Sequence, residues 1–183
     1  MKTAAPLRTV EDYLATPDDG PRYQLIEGEL YMAPAPNRFH QEIIGNIYMI
    51  VRNYLRQYPR GKVYLSPFDV YLDEFNVFQP DLLFVSKKNA HVLTKDGAHG
   101  APDWVCEILS PSTSRLDREQ KRRVYARLGV EEMWIIAPEK KKIEVYRLQE
   151  EAVDAVAVHG KDDVFESEIF PQLRFEAAQI FAE

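Results

Sequence analysis

The chain has 183 residues, enough for one domain with one core and too few for two ordinary ones. Its 45% hydrophobic and 28% charged residues are the balance of a globular chain, not a disordered one, and its single cysteine, Cys106, excludes an intrachain disulfide. The formal charge of −6 weighs against nucleic acid, because DNA binders are usually basic where they touch phosphate.

That objection has two ways round it: a local basic surface, or a metal ion bridging carboxylates to phosphate. Met1 to Thr9 lacks the long apolar core of a secretory signal, and no stretch approaches the roughly 18 apolar residues of a membrane span. The expectation is one cytoplasmic domain over residues 1–183, with no membrane partner.

In chain order, Val10 to Ala15 reads as a short helix ending before Pro17. Tyr23 to Ile26 and Leu30 to Met32, around Gly28, read as a hairpin. A long helix is expected from about Arg38 to Tyr58. Ile43, Ile44, Ile47, Ile50, Val51, Tyr54 and Leu55 fall on one face, and Pro59 and Gly61 stop it. Strands follow at Val63 to Ser66, Phe68 to Leu72 and Leu82 to Val85. Lys87 to Pro102 reads as a loop. Trp104 to Leu109 is apolar on both faces, as a central strand is, and Cys106 within it reads as a small buried hydrophobe.

Ser110 to Ser114 is a turn leading into a helix from Arg115 to Leu128, which ends at Gly129. Met133 to Ala137 with Ile143 to Leu148 forms one expected hairpin, and Val153 to His159 with Val164 to Ile169 a second. Phe175 to Phe181 reads as a closing helix. The fold class is α/β (α+β), with a mixed central sheet flanked by helices and added antiparallel hairpins.

The informative residues are polar ones where the pattern wants apolar ones. Glu107 lies inside the central strand, where a carboxylate is costly unless paired or bound to a cation. Lys121 lies three, four and seven residues before Val124, Tyr125 and Leu128 and shares their packed face; Asp117 lines up four residues earlier. A packed lysine stem whose ammonium reaches water is the plain alternative. Asp81 starts a strand after Pro80 and alone reads as a turn former. His40 opens the buried face of the long helix and suits proton transfer or metal binding.

Two carboxylates on neighbouring strands can hold one Mg²⁺ or Mn²⁺ through oxygen, with water completing the shell. Such an ion polarises a phosphate and acidifies bound water. A nearby lysine stabilises the developing charge. Asp81, Glu107 and Lys121 are the residue types that phosphodiester hydrolysis needs. Arg118 and Arg122, on the same helix, could meet phosphate.

The run Pro80 to Val85, then Val105 to Thr113, then Asp117, Lys121, Tyr125, Gly129-Val130 and Met133-Trp134 resembles the Uma family of restriction-endonuclease-like proteins, within the PD-(D/E)XK nuclease superfamily. Tyr23 to Leu30 and His40 also resemble its N-terminal pattern. The resemblance implies a restriction-endonuclease-like core and a divalent-metal nuclease site, with Asp81 as the first acid, Glu107 as the second, and Glu29 and His40 completing it. The superfamily pattern sets a lysine two residues after the second acid. That position is Leu109 here, so the lysine would come from the helix as Lys121.

The expected function is Mg²⁺- or Mn²⁺-dependent hydrolysis of DNA by a homodimer, since cutting both strands of a duplex needs two sites. Two alternatives stand beside it: an inactive nucleic-acid- or protein-binding module on the same fold, and a metal-dependent hydrolase of RNA or small phosphodiesters.

Overall fold

The computed structural model describes residues 6–17, 19–33, 35–111, 113–148 and 154–182. Helix α1 (Val10–Leu14) opens with a capping box, in which the Thr9 backbone N–H donates to the Asp12 carboxylate at 2.8 Å. Strands β1 (Tyr23–Ile26) and β2 (Glu29–Met32) make the expected hairpin, in register from Tyr23↔Met32 to Ile26↔Glu29. Its two turn residues, Glu27 and Gly28, have φ of 49° and 78°, the left-handed twist that a two-residue hairpin requires. Helix α2 (Arg38–Gln57) starts where the Asn37 side chain accepts the His40 N–H at 2.9 Å. It buries Ile43, Ile44, Ile47, Val51, Tyr54 and Leu55, the face its periodicity implies.

Strands β3 (Gly61–Leu65), β4 (Val70–Asp73), β5 (Asn76–Phe78), β6 (Leu82–Ser86), β7 (Ala98–His99) and β8 (Trp104–Ile108) follow. A π-helical segment, Leu116–Lys121, runs directly into α3 (Arg122–Leu128), which stops at Gly129 with φ of 96°. Then come β9 (Glu132–Ala137), β10 (Lys142–Arg147), β11 (Ala157–Gly160), β12 (Val164–Glu166), β13 (Arg174–Glu176) and a 3₁₀ turn, Ala177–Phe181. Among the described residues no helix is long and apolar enough to cross a membrane.

The main sheet has six strands in the order β11-β10-β9-β8-β6-β3, with β8 and β9 parallel and the other pairs antiparallel. This is the mixed sheet with a central β8 expected from the sequence. A second sheet, β2-β1-β5-β4-β7, lies to one side, and β12 pairs with β13 apart from both. Alternation along β8 sorts its side chains between two layers. Trp104, Cys106 and Ile108 join the α2 face in one core, whereas Val105 joins Val124 and Tyr125 of α3 in the other. Glu107 therefore lies on the α3 side.

Four expectations need correction. Lys87 to Pro102 is not all loop, since it carries a 3₁₀ turn at Ala90–Val92 and the two-residue β7. The Val153–His159 and Val164–Ile169 segments are not partners. β11 pairs with β10, β12 pairs with β13, and Val153 lies outside the described residues. Alternating apolar residues mark a strand but not its neighbour. Phe175 and Glu176 belong to β13, and only the rest of that segment is helical, as a 3₁₀ turn. The helix read from Arg115 onward is π-helical from Leu116 through Lys121.

Edge strand β3 lies tight against β6. A Cβ added at Gly61 would fall 2.2 Å from the Val85 carbonyl oxygen and 2.7 Å from the Phe84 ring. Gly61→Ala is expected to destabilise by about 1–3 kcal/mol, read as a lower denaturant midpoint at unchanged m-value.

Candidate active site

The pairing Leu82↔Cys106 between β6 and β8 puts Asp81, just before β6, beside Glu107 on the next strand. Asp81 Oδ2 accepts the Ile108 N–H at 2.7 Å, which ties the carboxylate to the end of β8. His40, in the first turn of α2, brings Nε2 within 3.3 Å of the same oxygen and 3.1 Å of the Ile108 carbonyl oxygen. In its Nε2-protonated tautomer the ring donates there. Burial opposes a charge on His40, but Asp81 and the Ile108 carbonyl outweigh it and raise its pKa above the ordinary value. Its Nδ1 is buried with no hydrogen-bond partner among the described residues.

Behind Asp81 lies a buried charged cluster. Lys121 Nζ stands 3.1 Å from Glu107 Oε1 and 3.1 Å from Asp117 Oδ1. The Tyr125 hydroxyl donates to the same Glu107 oxygen at 2.8 Å. Glu107, Asp117 and Lys121 are each no more than 3% exposed. Burial pushes the Glu107 pKa up to about 8; Lys121 opposes this, while Asp117 and Asp81 add to it. Burial disfavours the charge on Lys121, yet Asp117, Glu107 and Asp81 overrule it, so the lysine is held protonated above its usual range. Burial next to Glu107 also pushes the Tyr125 hydroxyl well up. With three carboxylates around one ammonium, the cluster has surplus negative charge, and Glu107 is the acid most ready to accept a compensating cation or proton.

His40, Asp81, Glu107, Asp117 and Lys121 all line one cleft of about 760 Å³, with Arg22, Ser66, Pro67 and the Ser110-Pro111 turn on its walls. Asp81 Oδ1 and Glu107 Oε2 accept no hydrogen bond among the described residues, and neither is sealed from solvent.

The Uma2 family, described as "Putative restriction endonuclease", matches residues 10–178. The chain belongs to the Uma2 family. Among solved structures it is similar to a crystal structure from Anabaena variabilis ATCC 29413, described as "a putative nuclease belonging to DUF820". The TM-score is 0.78 at 21% identity, over 94% of this chain and 97% of that one, so the two share a fold. No curated protein matches the chain.

In this Uma2 chain Leu109 packs into the core shared with Val105, Val124 and Tyr125. That is the face Glu107 occupies, and Lys121 reaches it from the helix instead. The other residues marked from the sequence lie elsewhere. Glu29, the first residue of β2, accepts a hydrogen bond from the Tyr31 hydroxyl at 2.8 Å and does not line the cleft. Arg118 grips Glu144 of β10 with both guanidinium nitrogens, one at 2.9 Å. Arg122 donates from Nε to the Arg118 carbonyl at 2.8 Å and lies over the Tyr146 ring at 5.1 Å. Neither arginine lines the cleft. Asp117, on the Lys121 face by its spacing, is the second carboxylate at that ammonium. The Tyr125 hydroxyl has no signal in the sequence, because only the distance between helix and strand reveals its partner.

Proposed function

We propose that the chain is a divalent-metal-dependent endonuclease that hydrolyses phosphodiester bonds of DNA. The observation carrying this reading is that Asp81 and Glu107, from adjacent strands, meet Lys121 in a single cleft. Among the described residues no three His, Cys, Asp or Glu side chains are grouped to hold a metal ion by themselves. The donor set still suits Mg²⁺ or Mn²⁺. Such ions commonly take one or two carboxylates and fill the shell with water and substrate phosphate, and each of these carboxylates keeps one oxygen without a hydrogen bond.

Asp81 and Glu107 would hold the ion, which supplies a polarised phosphate and an acidified water. Asp81 is fixed for this by the Ile108 N–H and by His40. Lys121, kept protonated between Glu107 and Asp117, offers a fixed positive charge for the phosphate in the transition state.

Plasmid nicking tests the reading. Purified protein with Mg²⁺ or Mn²⁺ should nick DNA, EDTA should stop it, and Glu107→Ala should lose it while staying folded, since Lys121 keeps Asp117. No cleavage by folded protein, with no metal binding by calorimetry, sinks the proposal in favour of a binding module. Cutting both strands calls for a dimer, which sedimentation equilibrium would detect.

One observation favours a shorter substrate. Apart from His40, Lys121 and Arg22 are the cleft's cationic side chains among the described residues. Competition among duplex DNA, RNA and dinucleotides would separate the two readings.

A further inference from the structure

Glu107 has two carboxylate oxygens in different surroundings. Oε1 takes both donors from the helix behind it, Lys121 Nζ at 3.1 Å and the Tyr125 hydroxyl at 2.8 Å. Oε2 accepts no hydrogen bond among the described residues, and Glu107, though only 3% exposed, lines the cleft. Tyr125 lies one turn beyond Lys121, fully buried, with its ring edge-on to Phe78 at a centroid distance of 5.0 Å.

Lys121 is the cation at Glu107 Oε1, and a neutral hydroxyl adds no charge beside it. Its contribution is orientation. An ammonium rotates freely on a flexible stem and sets little beyond distance. A second donor on a rigid, packed ring fixes the plane of the carboxylate. We infer that Tyr125 is a positioning residue, which holds Glu107 Oε1 against the helix so that Oε2 is the oxygen presented to a divalent cation. The inference rests on the metal-dependent reading of the cleft.

Mn²⁺ titration calorimetry on the full chain tests it. Partners behind metal ligands typically contribute about 10–100-fold to affinity. Tyr125→Phe should therefore bind Mn²⁺ at least about tenfold more weakly than wild type. Its melting midpoint should change little, because the ring stays and Lys121 remains.

Tyr146→Phe is the control for a merely structural effect. It removes another hydroxyl bonded to a glutamate, Glu144 at 2.9 Å, away from the cleft. Equal Mn²⁺ affinity in wild type and Tyr125→Phe overturns the inference, as does an equal loss in Tyr146→Phe. Wild-type protein that binds no Mn²⁺ overturns the metal reading itself.

Should Tyr125→Phe fail to fold, wild-type protein labelled at tyrosine Cζ gives the second readout. At least one tyrosine resonance should shift as Mg²⁺ is added, and a spectrum in which none moves overturns the inference.

Discussion

Lys121→Met is expected to lower nicking activity at least about a hundredfold and to destabilise the fold by about 3–5 kcal/mol, two losses with separate causes. On the proposed metal-dependent reading, the activity loss follows from removing a fixed charge beside the phosphate. The stability loss follows from the charge count in the cluster. Without the ammonium, Glu107 and Asp117 are left buried with no cation between them, and removing one partner of a buried pair strands the other.

Glu107→Gln behaves differently. Lys121 keeps Asp117 at 3.1 Å, and the Tyr125 hydroxyl can donate to the new amide oxygen, so its stability cost is about 1 kcal/mol. The double variant should be more stable than the sum of its parts, by about 0.5–3 kcal/mol of coupling, and should remain inactive. Urea melts of the four proteins measure this. Equal costs for Lys121→Met and Glu107→Gln would show that the ammonium is not the charge holding the cluster together.

The same cluster shows what the sequence disclosed. Lys121 was legible because its reference residues, Val124 and Tyr125, lie in regular α3, where counting by turns holds. The π-helical stretch lies on the other side of it and did not disturb that count. Glu107 was legible as a charge in an apolar strand, and α2 because twenty residues repeat one face. Strand β5 was not, since three residues carry no period. Arg118 looked available to phosphate because Glu144, the residue it grips, lies 26 positions later on another strand. The convergence of His40 on Asp81 joins residues 41 apart through α2 packing and the Ile108 backbone, and no local pattern encodes it.

Stability should peak near pH 5 and fall towards pH 8. Glu107 rises from 4.5 to about 8 on folding, chiefly through burial, so its stabilising contribution is complete below about 4.5 and lost as pH climbs to 8. Across that window the native state binds more protons than the unfolded one, and each full proton of difference gives a slope of about 1.4 kcal/mol per pH unit. Glu132, raised by burial, acts in the same direction. His40, raised above 6.5 because Asp81 outweighs burial, adds a contribution that is lost as pH passes its folded value. Lys121 does not enter this window, since its raised pKa matters only in strong alkali. Glu144 limits the acid side. Burial alone would raise its pKa, but Arg118 more than offsets this and lowers it, so its contribution is lost as pH falls below 4.5. Glu107→Gln should therefore flatten the decline between pH 5 and 8 and leave the acid limb intact, as thermal melts across that range would show. Burial raises the Glu107 pKa, so a divalent cation bound there competes with a proton, and Mn²⁺ affinity should rise with pH towards 8. At pH 7, calorimetry in two buffers of different ionisation enthalpy should register proton release, and Glu107→Gln should abolish it. Binding without release would mean that the ion is held by other groups and that Glu107 stays protonated beside it.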